Sequence, residues 1–230
     1  MFPIQDTVRT RSFPIVNWLL IISNAAVFVL LELPLRSGQL NQFVLTYGLV
    51  PVRLSDAQPW SVVTILTSMF LHGGWIHLIS NMWALFIFGD NVEGRMGPGR
   101  YLIFYLLSGV VASLTQVVID PASRLPMVGA SGAIAGVLGA YLILFPSARV
   151  LTLVPLFFLP WFVEVPAFIY LGIWFLLQFL SGVLALDMST MGGVAYWAHI
   201  GGFVCGLLLV RAFARRSQAY YRRYASGYRS

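Results

Sequence analysis

The side chains able to do chemistry are few and unusually placed. The 230 residues include 3 histidines, and all of them stand in apolar surroundings. His72 and His77 belong to the run His72-Gly-Gly-Trp-Ile-His77, with Asn81 one helical turn further on. His199 stands in Ala198-His199-Ile-Gly-Gly202, and Ser131 in Gly129-Ala-Ser131-Gly132. A serine hydroxyl beside a neutral imidazole is the minimum for nucleophilic acyl transfer, because the imidazole takes the proton as the oxygen attacks. The other requirement is a set of donors aimed at the developing oxyanion. His77 and Asn81, at i and i+4, would present two on one helix face. No acidic residue is placed to complete a triad, since Asp187 precedes His199 by twelve residues. A zinc protease helix would read His-Glu-x-x-His, a motif this sequence lacks, so neither a metal nor another cofactor is expected.

These groups must be held by a membrane protein. Hydrophobic residues make up 59% of the chain and charged residues 10%, against about 45–50% and about 25% in soluble domains. Mean hydropathy is +0.83. That balance excludes a disordered chain, a disulfide scaffold and an ordinary soluble enzyme. The 14 basic residues are all arginine, set against 8 acids for a net charge of +6. They flank apolar runs, which speaks for membrane topology and against nucleic-acid binding. The single Cys205 excludes an internal disulfide.

A helix needs about 20 mostly apolar residues to cross a bilayer. Such runs are Ile15–Leu33, Trp75–Glu93, Tyr101–Ile119, Met127–Phe145, Pro166–Leu186 and Val194–Phe213. They predict an all-α membrane protein: a short cytoplasmic segment over 1–14, a six-helix domain over 15–213 and a basic cytoplasmic tail over 214–230. Two shorter apolar runs, Ser61–Leu71 and the Pro155- and Pro160-containing Val150–Val163, suit interfacial or re-entrant pieces better than spans. With the N-terminus inside, Arg9, Arg11, Arg95, Arg100, Arg149 and the tail arginines lie inside, and only Arg36, Arg53 and Arg124 outside. The positive-inside rule therefore places both termini in the cytoplasm, with the tail against anionic headgroups. Spans two, four and six then run in the same direction, so His77, Ser131 and His199 begin their helices at one outer level. Gly132 with Gly136, and Gly202 with Gly206, are small-residue pairs of the kind that let helices approach closely in lipid. A stripe of Ser131, Ala135 and Gly139 facing His199, Gly202 and Gly206 would bring the serine to the histidine.

Together these motifs resemble the rhomboid family of intramembrane serine proteases: His72 to Asn81, Gly129 to Gly132, Ala198 to Gly202 with Gly206, and Glu93-Gly-Arg95. The resemblance covers about residues 15–213. It implies a six-helix rhomboid-like bundle with a membrane-embedded first outer loop, Ser131 as nucleophile and His199 as general base. It further implies oxyanion stabilisation by His77, Asn81 and the Ser131 backbone N–H. His72 would organise the outer loop, and Glu93 and Arg95 would hold a cytoplasmic loop. Trp174 and Gln178 would belong to a lateral gate on the fifth span. Implied partners are transmembrane protein substrates and the lipid bilayer of a bacterial cell membrane; the oligomeric state is left open. The alternative is a catalytically silent member that binds membrane clients. The sequence departs from the family where an aromatic residue often follows the serine by four positions: here that residue is Ala135. The first outer loop of many members also carries a Trp-Arg pair, where this chain has Trp60-Ser61.

Overall fold

A computed structural model describes residues 2–10, 12–156, 159–186 and 194–215; Arg11, Asp187 and the tail from Arg216 lie outside the described residues. Strand β1 (Phe2–Asp6) precedes helix α1 (Ile15–Val27), which continues through a π-helical turn over Phe28–Glu32. Helices α2 (Ser37–Tyr47) and α3 (Pro51–Ser55) follow. Next come α4 (Ser61–Thr67) with a 3₁₀ turn to Phe70, then α5 (Trp75–Ala84), which runs through a π-helical turn into α6 (Asp90–Met96). Helix α7 (Pro98–Ile119) starts as helices with a proline in their first turn do: the ring supplies a helical φ, and the missing N–H has no helical partner to lose. The remaining described elements are α8 (Ser131–Leu144), β2 (Arg149–Leu156), β3 (Leu159–Pro166), α9 (Ala167–Leu186) and α10 (Tyr196–Phe213).

Four helical stretches among the described residues are long and apolar enough to cross a membrane: Ile15–Glu32, Pro98–Ile119, Ala167–Leu186 and Tyr196–Phe213. Ser61–Phe70 and Trp75–Met96 form a pair bent by 81° that would make a fifth. Helix α8 is shorter than the span expected over Met127–Phe145. Its 14 residues reach about 21 Å at a rise of about 1.5 Å per residue, short of the roughly 30 Å hydrocarbon core. The reason is local. Gly129 has φ +123, a conformation outside any α-helix, and Met127 is tied in an extended bridge to Leu49. Ser131 is therefore the first residue of its helix.

The run Val150–Val163 is a correction to the sequence reading. The all-α expectation fails there: β2 and β3 form a hairpin, and β1 pairs along the other edge of β2 in an antiparallel sheet of order β1-β2-β3. The protein is thus mostly helical, not all-α. Val150 pairs with Val165 and Thr152 with Val163, β-branched partners that suit a pleated surface. Pro155 pairs with Pro160 near the end of the ladder, where missing donors cost least. The N-terminal residues are part of this body: Trp83 Nε1 donates to the Pro3 carbonyl at 2.7 Å, and Phe2 stacks on Trp83 at 5.8 Å.

At the core, α10 packs against α7 and α8, around the fully buried Phe104, Tyr105 and Tyr141. The end remote from Ser131 is held by polar contacts. The Glu93 carboxylate accepts the N–H groups of Val16 at 3.1 Å and Asn17 at 2.7 Å, satisfying α1 where its donors lack helical partners and its dipole is positive. Arg95 lies over the Phe145 ring at 5.8 Å, and its carbonyl accepts the Arg215 N–H at 2.9 Å. Both residues thus make their contacts within the fold at this end.

Candidate active site

Helices α8 and α10 meet backbone to backbone. A Cβ added to Gly202 would fall on the Gly132 carbonyl oxygen, one on Gly206 on that of Gly136, and one on Gly139 on that of Phe203. The α8 face in contact is therefore Gly132–Gly136–Gly139, one residue round the helix from the expected Ser131–Ala135–Gly139 stripe. A face with no side chains permits the closest approach, and it leaves Ser131 free to reach across beside the contact.

There Ser131 Oγ lies 2.7 Å from His199 Nε2. His199 is buried, and its other ring nitrogen, Nδ1, lies 2.7 Å from Gln178 Oε1. The Trp174 ring, one turn earlier on α9, sits 6.0 Å from the imidazole with the planes inclined at 34°. Trp174 and Gln178 thus both address His199 from α9. Ala135, where an aromatic was the family expectation, is fully buried.

Opposite the serine, the backbone at Gly129 is shaped around His77. A Cβ on Gly129 would come within 2.7 Å of His77 Cε1 and Nε2 and 3.7 Å of Asn81 Nδ2, and its φ of +123 already favours glycine. The Gly129 N–H donates to the Ser68 carbonyl at 2.9 Å, tying the serine loop to the segment after α4. His77 Nδ1 accepts the Gly73 N–H at 3.3 Å. A neutral imidazole accepting at Nδ1 carries its hydrogen on Nε2, so His77 presents a donor toward Gly129. Asn81 Nδ2 is buried and has no protein hydrogen-bond partner among the described residues. Two donors therefore converge on the N-terminus of α8, where free backbone N–H groups and the helix dipole also favour an anion.

His72 is buried beside this pocket, its ring edge-on to His77 at 5.1 Å. Its backbone N–H donates to both carboxylate oxygens of Glu32, at 3.1 and 3.2 Å. Glu32 had no part in the sequence reading. The available signal was its position as the sole acid in the run Ile15–Leu33, since a buried carboxylate needs a partner.

The arrangement is that of a multi-pass helical membrane protein with a serine–histidine pair at one end of the bundle and glycine contacts behind it. A family model described as the Rhomboid domain matches residues 58–216. The mitochondrial Rhomboid protein 1 of Saccharomyces cerevisiae is 33% identical over 192 residues, 80% of this chain and 49% of that protein. The putative rhomboid protease YdcA of Bacillus subtilis is 32% identical over 133 residues, 57% of this chain and 63% of that protein. Rhomboid protease GluP of the same organism is 36% identical over 146 residues, 63% of this chain and 27% of that protein. The chain spans less than two thirds of the length of each of these relatives. It belongs to the rhomboid family.

Proposed function

We propose that this chain is an intramembrane serine endopeptidase that cuts transmembrane segments of other proteins near the outer interface. The observation that carries this reading is the 2.7 Å contact between Ser131 Oγ and His199 Nε2, opposite a pocket where His77 and Asn81 direct donors at the same helix N-terminus. As Ser131 Oγ bonds to a scissile carbonyl carbon, its proton passes to His199 Nε2. The carbonyl oxygen becomes an oxyanion, received by His77 Nε2–H, Asn81 Nδ2–H and the Ser131 backbone N–H. Collapse of the tetrahedral intermediate breaks the C–N bond, and His199 returns the proton to the leaving amine. Water, deprotonated by the same imidazole, then hydrolyses the acyl-enzyme and restores the Ser131 hydroxyl.

The reading includes six membrane crossings over 15–213, counting α8 as a short span held within the protein and Ser61–Phe70 as the embedded part of the outer loop. It keeps both termini, including the tail over 214–230, on the cytoplasmic side of a bacterial cell membrane, as the arginine distribution supports. The activity is tested in proteoliposomes with a panel of single-span substrates carrying small residues near the outer interface. Cleavage by the wild type and none by Ser131→Ala supports the reading. Equal cleavage by Ser131→Ala contradicts it.

A further inference from the structure

We infer that Gln178 is a positioning residue for His199, completing the Ser131–His199 pair from α9; the inference rests on the dyad reading above. A neutral imidazole has one N–H, and the partner at one nitrogen fixes the role of the other. His199 Nδ1 faces Gln178 Oε1 at 2.7 Å. An amide oxygen only accepts, so Nδ1 carries the hydrogen and Nε2 keeps its lone pair for the Ser131 hydroxyl, also at 2.7 Å. The other tautomer would set two acceptors face to face at Nδ1 and point Nε2–H at the serine, leaving no base. The Trp174 ring at 6.0 Å limits rotation of the imidazole, so a neighbouring helix supplies the orientation that Ala135 cannot.

A neutral amide suits this place. When Nε2 takes the serine proton, the ring becomes a cation, and the existing Nδ1–H to Oε1 bond becomes charge-assisted without a second proton moving. Around Gln178, α9 is seated on α10 by ring contacts, Phe175 on Phe203 at 4.9 Å and Phe179 on Trp197 at 6.1 Å. Any outward displacement of α9 withdraws the acceptor and disarms the base, which ties the seat of this helix to turnover.

The test is the rate at which a small fluorophosphonate labels the purified full chain, with Ser131→Ala as the blank. Gln178→Met keeps the length and removes the acceptor, and should label about 10–100-fold more slowly, the range seen when metal-bound histidines lose their orienting partners. Gln178→Glu restores an acceptor and should recover to within several-fold of wild type. Wild-type labelling by Gln178→Met, or an equal fall in Gln178→Glu, would overturn the inference. ¹⁵N NMR of the His199 ring gives a readout that needs no variant: hydrogen on Nδ1 is expected, and hydrogen on Nε2 would overturn it. A wild type that labels no faster than Ser131→Ala would instead sink the dyad reading, with the NMR result still deciding the tautomer.

Discussion

Gly202 lies so close to Gly132 that a Cβ on the former would clash with the carbonyl oxygen of the latter. Backbone cannot yield as a flexible side-chain end can, so even one methyl group must push α10 away from α8. Gly202→Ala should lower stability in detergent by about 1–3 kcal/mol, the usual cost of overpacking, and should slow fluorophosphonate labelling by separating His199 from Ser131. Gly172→Ala on α9, with nothing within 4 Å of its Cβ position, is the matched control. It should be neutral or slightly stabilising, since alanine is the better helix former. Equal melting temperatures for the two variants would contradict the contact.

Ser131 and His199 act on one proton, so their losses should not add. His199→Ala should reduce turnover by at least about 10³-fold, close to the loss in Ser131→Ala, and the double variant should be no worse than Ser131→Ala alone. Single-turnover assays of the three variants check this. Near-normal turnover by His199→Ala would remove the base from the account.

The oxyanion donors should be graded differently. Asn81→Ala and His77→Ala each remove one of several donors, for which losses of about 10²–10³-fold are typical. The serine should still be labelled, slowly, in both. Gly129→Ala offers a complementary probe: it forces a Cβ onto the His77 ring in a backbone conformation alanine rarely adopts. It should reproduce the His77→Ala rate defect while leaving the histidine in the chain.

At the far end, β1 is held to the bundle by Asp6, whose carboxylate accepts Asn91 Nδ2–H at 2.8 Å and the Tyr141 hydroxyl. Burial pushes the Asp6 carboxyl up to about 6 against the hydrogen bond from Tyr141, and nearby Asp90 adds to the rise. The folded chain thus holds this proton more tightly than the unfolded chain, whose carboxyl titrates near 3.8. The stability contribution is full below that value and is lost as pH rises through about 6. Asp6→Asn has no such proton, so its melting temperature relative to wild type should rise between pH 4 and pH 7. A difference that is constant across that range would contradict the assignment.

The residues of the pocket were legible because membrane burial leaves few polar side chains to choose from, and matched depth and small-residue spacing select among them. His77, Asn81, Ser131 and His199 could be grouped on those grounds alone. The hairpin could not. A proline-bearing apolar run such as Val150–Val163 has a length that fits either a strand pair or an embedded helix. What decides it is pairing with Phe2–Asp6, at the other end of the sequence. The exact contact stripe on α8 was missed by one position because Ala135 and Gly136 are both small, and only the backbone approach separates them. Gln178 was legible as a member of the fifth span, but its bond to His199 depends on how α9 is rotated, and the apolar pattern of a lipid-facing helix leaves that rotation undetermined.

The central claim is that Ser131 is activated by His199 within this bundle. The most direct test is fluorophosphonate labelling of the purified protein, with the adduct located by mass spectrometry. The account predicts an adduct on Ser131 in the wild type, none on any residue in Ser131→Ala, and a sharp fall in His199→Ala. A folded wild type that takes no label, or one labelled as fast without His199, would contradict it and point to a silent client-binding member of the family.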